Sequence, residues 1–424
     1  MKEYRLHFTL DYEIHGNGDG NPMELMVEPT GRLMKLLEKY HQRLTIMADV
    51  AEILCFKRYW TETGRDDYHV AEIEEQLRDA IRRGHEVQLH IHSSYFKAVH
   101  NGHSFDQCIE EYNMAALPIE RIDEMVTECV TYLEELLRPV KSDYKVWLFR
   151  AANWSMMPTE NLYKVLVKHG ITHDTSVYKG GCQGGNVCYD YREAYDNLFA
   201  YPALMHNINE RDEKGELIEW PIYTEMRPFW DFVTPMRVFR MVRAKFHRHK
   251  QKEDVSQKCP TIDQKLDLEE NDLLENQKNI KKIEESSVTD SDSTMQTPQS
   301  ACMQASRQTD DSSYSTDTNA QCLSNDSSTK NTKNIISDQE ATLQANADKN
   351  DRSKLTLKSF FRLSPLKMDF NQVNSRGLKR MMKNVMRRSA DKTHVDVILI
   401  GHAKTFVPYN ERTLEPFLKW VTNL

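Results

Sequence analysis

No stretch of the 424-residue chain approaches the ~18 consecutive apolar residues that a membrane-spanning helix requires, so nothing in it reads as such a span. The first residues, MKEYRLHFTLDYE, lack the charged, then apolar, then small-residue order of a secretory leader. They read directly as a strand, and the mature chain is expected to begin at Met1 in the cytoplasm. Cysteine is sparse: eight residues at irregular spacings argue against a disulfide framework and for reduced thiols. Positive charge is not in excess either. With 56 Lys and Arg against 64 Asp and Glu the formal net charge is −8, which gives no general reason to expect nucleic acid or an anionic membrane as a partner. Apolar residues are themselves scarce, at 39% with a mean hydropathy of −0.68, so part of the chain is not expected to contribute to a core.

That polarity is local. Up to residue 250, short apolar runs alternate with longer amphipathic stretches, the pattern of repeated βα units and a mainly parallel sheet. Leu6–Asp11, Leu44–Ala48, Glu86–Leu89, Lys145–Phe149 and Ile218–Ile222 read as strands. Gly31–Gln42, Val70–Arg83, Ile119–Leu137 and Thr159–Lys168 read as helices, with apolar residues recurring at three and four. Residues 251–353 are dominated by Ser, Thr, Asn, Asp, Gln and Lys without sustained period; they cannot bury enough apolar surface to offset their ordering entropy and are expected to be disordered. Within residues 354–424, Pro365–Phe370 and His394–Ile400 read as strands, Ser375–Arg388 and Glu411–Thr422 as helices. The expectation is one α/β domain, a distorted (β/α) barrel of about seven strands, formed by residues 1–250 and 354–424 and interrupted by the insertion. Two basic stretches, 237–252 and 376–388, flank it. Each has two readings, a solvated helix face or a peripheral membrane- or polyanion-binding face.

Several polar clusters fall at the ends of these strands, where a parallel barrel places its reactive groups. Strand alternation puts Asp11 and Glu13 on one side of the first strand. His90 and His92 share parity at the end of another. Two neutral imidazoles and a carboxylate, with a position left for water, form a ligand set for catalytic zinc and suit cobalt or other divalent transition metals. Arg150 ends the Lys145–Phe149 strand and needs a carboxylate partner if desolvated, which Asp11 could supply. His173-Asp174-Thr175-Ser176 and Gly401-His402-Ala403-Lys404 end two further runs. Trp154, Trp220 and Trp230 have two readings, sugar-stacking platforms or packing. The glycine-rich loop 180–188 carries Cys182 and Cys188 with five residues between them, unlike usual zinc spacing, and reads as a mobile loop with free thiols. Cys55, Cys108 and Cys129 sit in helical patterns and read as core or half-buried.

In this order Thr9-x-Asp11, a His-containing strand end, Arg150-x-x-x-Trp154, Asp174-x-Ser176 and an apolar-x-x-His402 resemble the five motifs of the NodB-like polysaccharide deacetylases, carbohydrate esterase family 4 in the broad sense. The Gly84-His85-x-x-x-Leu89-His90-x-His92 strand end, the Arg150-Ala151-x-x-Trp154 and the Gly401-His402-x-Lys404 are similar to a divergent branch associated with exopolysaccharide gene clusters. The resemblance implies a metal-dependent deacetylase that removes N-acetyl groups from a polysaccharide or oligosaccharide. It implies Asp11 as general base, His90 as metal ligand, Arg150 holding Asp11, Asp174 tuning His402, and His402 as general acid. Tyr12, Trp154 and Lys404 fall where substrate contacts are expected. Two positions depart from the pattern. Tyr12 stands where the family has a second aspartate, so Glu13 must supply the carboxylate ligand; Ser94 stands where it has a second histidine, so His92 must replace it. Two other readings stand beside this one: a non-catalytic carbohydrate-binding relative, and a metal-dependent phosphoesterase of the PHP type, whose His-x-His is similar to His90-Ile91-His92.

Overall fold

The computed structural model describes residues 2–14, 18–228 and 363–424. The stretch 251–353, the basic stretch 237–252 and Trp230 lie outside the described residues. Nine strands form one sheet: β1 (Glu3–Tyr12), β2 (Leu44–Asp49), β3 (Glu86–Ile91), β4 (Leu148–Ala151), β5 (His173–Asp174), β6 (Tyr201–Leu204), β7 (Asn207–Arg211), β8 (Ile218–Glu219) and β9 (His394–His402), in the order β7-β6-β8-β5-β4-β3-β2-β1-β9. The seven from β9 to β8 are all parallel, and β6 and β7 are added antiparallel beyond β8. Past β8 the chain turns back to the other end of this run. Ile222 bridges Ile398 of β9, and Asp369 bridges Ile400. The sheet is therefore curled, with the chain just past β8 and the segment at Asp369 each bridging β9, which gives the distorted α/β barrel.

The helices are α1 (Glu28–Lys39), α2 (Val50–Thr63), α3 (Val70–Arg82), α4 (Ile119–Leu137), α5 (Thr159–Lys168), α6 (Ser375–Arg388) and α7 (Pro408–Val421). Each carries an apolar stripe onto the sheet, and sheet parity matches it. On β1 the even residues Phe8, Leu10 and Tyr12 join Leu33, Ile53 and Phe56 of the helices in the main core. The odd residues Thr9, Asp11 and Glu13 face the other way and are also buried. On β9, Val395, Val397 and Leu399 join the main core, whereas Ile398 and Ile400 form a small cluster with Ile222, covered by Trp154, Tyr178 and Trp220. The barrel interior thus holds a thin apolar plug with polar groups above it.

Several expectations are corrected. Helix α2 was not read from the sequence because β2 runs into it without a turn, the apolar run continuing from Leu44 to Phe56. Its start is set by Asp49, whose side chain accepts from the Glu52 N–H at 3.4 Å. Helix α1 begins three residues earlier than the spacing suggests, with Pro29 in its first turn, a position that proline tolerates. Cys108 lies not in a helix but just before a short 3₁₀ turn. Cys55 and Cys129 are buried, and Cys182 and Cys188 are exposed, all as free thiols. Loop 180–188 contains a two-residue antiparallel pair, Cys182–Gln183 with Tyr189–Asp190. Helix α6 buries Leu378, Met381, Met382 and Val385 and leaves Arg380, Lys383, Arg387 and Arg388 on its outer side.

Residues 363–367 pair antiparallel with 224–228, Pro228 opposite Leu363, and the chain then runs alongside β9. There Gly401 leaves room for a close approach. A Cβ added to it would stand 2.1 Å from the Phe370 ring and 2.3 Å from Asn371 Oδ1. That same Oδ1 accepts the His402 N–H at 3.2 Å, and Asn371 Nδ2 donates to the His402 carbonyl at 3.0 Å. Gly401→Ala is expected to cost about 1–3 kcal/mol through overpacking and to unseat the His402 backbone. Chemical denaturation checks this, and an unchanged midpoint would mean that the 368–371 segment shifts freely.

Candidate metal centre and its acid–base groups

Register rather than sequence proximity assembles the site. Across the parallel strands Asp11 stands opposite His402, Asp49 opposite His90, and His90 opposite Arg150. These residues end their strands on the face where loops leave a parallel barrel.

Glu13, His90 and His92 are buried and bring one ligand atom each within 4.8 Å of one another. Glu13 Oε2 lies 3.3 Å from His90 Nε2 and 3.1 Å from His92 Nδ1. His90 Nδ1 is 2.8 Å from the Arg150 carbonyl, so the proton sits on Nδ1 and Nε2 faces the cluster. His92 is set by Asp49, whose Oδ2 lies 2.7 Å from Nδ1 and whose Oδ1 accepts the His92 N–H at 3.1 Å. Asp49 thereby holds the His92 ring through the same Nδ1 that lies beside Glu13. One carboxylate and two oriented imidazoles fit a divalent transition metal by the chemistry of their donors. Lys404, expected to meet substrate, instead donates to Glu13 Oε1 at 3.0 Å.

Beside this cluster Asp11 is held between Arg150 and His402. Arg150 Nη1 donates to Asp11 Oδ1 at 2.5 Å, and the other carboxylate oxygen, Oδ2, lies 3.4 Å from His402 Nε2. Burial alone would push Asp11 up; the charges of Arg150, His402 and His90 outweigh it and hold the carboxyl below its usual range. Burial likewise disfavours charge on His90, yet Glu13 and Asp11 prevail and raise it to about 9.

Asp174 is fully buried, with Ser176 N–H and Oγ–H as donors to it and Glu219 beside it on β8. Burial pushes both carboxyls up. None of these bonds reaches His402. Asp369, bridged to Ile400 two residues before His402, accepts the Asn371 and Gln372 N–H groups through Oδ1 and has a buried Oδ2 without a hydrogen-bond partner. Asp49, Asp369 and Lys367 were missed in the sequence, although signals existed. Asp49-x-x-Glu52 before an apolar run is a helix-start signature. In the strand read at 365–370, Leu366, Met368 and Phe370 are buried apolar while Lys367 and Asp369 alternate with them.

Tyr12 is corrected: it is wholly inside the main core, on the opposite face from Asp11, and leaves the substrate-facing set. Trp220 packs on the inner cluster, edge-on to His7 and His173. Trp154 is half-buried, its ring edge-on to His402 with centroids 5.9 Å apart. It is presented by two consecutive positive-φ residues, Asn153 at 51° and Trp154 at 59°, each a strain of about 1–3 kcal/mol that the surroundings must hold. Tyr191 does so: its hydroxyl donates to the Trp154 carbonyl and accepts the Met156 N–H.

Because His90 is protonated at neutral pH without metal, a cation has to displace that proton. Affinity for zinc is expected to rise with pH toward 9, with proton release seen by calorimetry in buffers of different ionisation enthalpy. His90→Ala should abolish tight binding and Asp49→Ala weaken it by about 10–100-fold. Equal metal content in wild type and both variants after exhaustive purification would reject the ligand set.

No family model matches the chain, and no curated protein does. Among solved structures the chain is similar to one from Mycobacterium smegmatis assigned to the polysaccharide deacetylases, with TM-score 0.40 and 11% identity over 100% of this chain and 85% of that one. It is similar to a family 4 carbohydrate esterase from Streptomyces lividans solved with acetate, with TM-score 0.26 and 15% identity over 41% of this chain and 63% of that one. It is also similar to the peptidoglycan deacetylase PdaC from Bacillus subtilis, with TM-score 0.19 and 14% identity over 39% and 68%.

Proposed function

We propose that the protein hydrolyses an N-acetyl group on a polysaccharide or oligosaccharide with the help of a divalent cation, zinc being the first candidate. The observation that carries this reading is the convergence of two sets of groups at one end of the barrel: Glu13, His90 and His92 as a ligand set, and Asp11 with His402 as an acid–base pair. Held by Glu13, His90 and His92, a cation supplies polarisation of the acyl oxygen and a lowered pKa for water.

The chain's own groups do the rest. Arg150 occupies Asp11 Oδ1, which leaves Oδ2 to take the proton of an attacking water. Being held below the usual carboxylate range, Asp11 is ionised and ready to accept it. His402 stands across from the same Oδ2 and gives a proton to the departing amine, which is otherwise a very poor leaving group. Trp154, edge-on to His402, borders the substrate.

The phosphoesterase reading requires several further histidines and acids, and among the described residues Glu13, His90 and His92 are the group able to hold a metal. The binding-only reading is separated by metal-dependent acetate release from an N-acetylated oligosaccharide.

Asp11→Asn and His402→Ala are each expected to lower kcat/KM by about 10²–10⁴-fold with the fold intact.

A further inference from the structure

Lys367 stands apart from the other cations of the site. Arg150 is bonded to Asp11, Thr9 and Thr175, and Lys404 to Glu13. The Lys367 side chain makes no hydrogen bond or ion pair with the described residues. Its ammonium lies 3.2 Å from the Trp154 ring centroid and 4.3 Å from that of Tyr178. Aromatic faces hold a cation by their quadrupole but accept none of its three N–H donors conventionally, so the charge is positioned while its hydrogen-bonding capacity is left over. Trp154 in turn meets His402 by its edge, which puts this ammonium one side chain away from the proposed acid.

Two consequences bear on what the site takes. The Trp154 face beneath Lys367 is covered, so it cannot serve as the platform on which a neutral pyranose stacks. Tyr178, the other ring under Lys367, also lines a groove of about 890 Å³ whose wall includes Pro365, Lys179, Arg192 and Arg388. Arg192 is bonded to Asp190 and Arg388 to Asn197. Lys179 reaches only the Tyr195 carbonyl, at 3.5 Å. In a chain of net charge −8, Lys367 and Lys179, neither in ion-pair contact with a carboxylate among the described residues, thus lie on the two sides of Tyr178, one over its ring and the other beside it in the groove wall.

We propose that the glycan recognised here is acidic, bearing carboxylate-substituted sugars, and that Lys367 is the specificity-determining residue that pairs with a carboxylate next to the reacting N-acetyl group, with Lys179 contacting a further one in the groove. This rests on the deacetylase reading for the identity of the reacting group, but the charge preference is separately measurable.

The test compares binding of two tetrasaccharides to the full-length, zinc-loaded chain by calorimetry: alternating glucuronate and N-acetylglucosamine, and the neutral N-acetylglucosamine tetramer. Wild type is expected to prefer the acidic one by about tenfold at low salt, as a charge-assisted hydrogen bond implies, with the preference shrinking at 0.5 M salt. Lys367→Met should bring the ratio to within about twofold while Lys367→Arg retains most of it. Equal affinities in wild type, binding of neither sugar, or an unchanged ratio in a folded Lys367→Met each overturn the proposal. Should Lys367→Met fail to fold, Lys179→Glu decides: the ratio must fall. Acetate release is scored in parallel. Its absence from both sugars refutes the deacetylase reading, while the binding ratio still judges Lys367.

Discussion

A single guanidinium braces the inside of this barrel. Arg150 is completely buried on β4, donates through Nε to the Thr175 carbonyl after β5, through Nη1 to Asp11 and through Nη2 to Thr9 on β1, and accepts the His90 Nδ1 proton at its own carbonyl. It spans the strands that an apolar side chain would otherwise fill. Desolvating such a charge is costly, and only near-complete hydrogen bonding makes it tolerable; a buried pair is weak evidence for net stability but severe to break. Its value lies in fixing positions. Asp11, Thr9 and His90 cannot rotate without giving up a bond to Arg150, so Asp11, proposed as the base, and one metal-ligand candidate share the same anchor.

Around that anchor the sheet separates two chemistries by parity alone. One side of each strand feeds the apolar core under the helices, the other feeds a thin plug of Ile222, Ile398 and Ile400 topped by carboxylates and imidazoles. Asp49 works at the seam: it begins α2, takes the His92 backbone N–H and holds the His92 ring. The imidazole's orientation is thereby tied to the start of a helix packed in the main core, so a loosened core would be felt at the ligand cluster.

Much of this was legible in the sequence because alternation is a strict rule. Asp11 with Glu13, and His90 with His92, share a face in any strand, and apolar runs before them mark strand ends. Helices α3, α4, α5 and α6 followed from their apolar spacing. What was hidden came from absent punctuation or from distance. Helix α2 follows β2 with no turn residue to separate them. Tyr12 carries a hydroxyl that suggests a site, yet parity assigns it to the core, and its neighbour Asp11 gave the means to tell. Asp174 sits at a strand end like the others, but its neighbours Ser176 and Glu219 absorb it. Lys367 and Asp369 alternate with buried Leu366, Met368 and Phe370; nothing local to them reveals that the strand crosses to β9, because the bridge between Asp369 and Ile400 is a tertiary fact.

The pairing of β1 with β9 runs from Glu3 opposite His394 to Asp11 opposite His402, and joins residues about 390 positions apart in the chain. During synthesis the first of these strands leaves the ribosome long before the second exists. Until then a ten-residue strand presents a row of unsatisfied backbone donors and acceptors along one side, the arrangement that invites association with other chains. Completion of the sheet is thus deferred until β9 has been made, and until it docks that edge is open to a stranger.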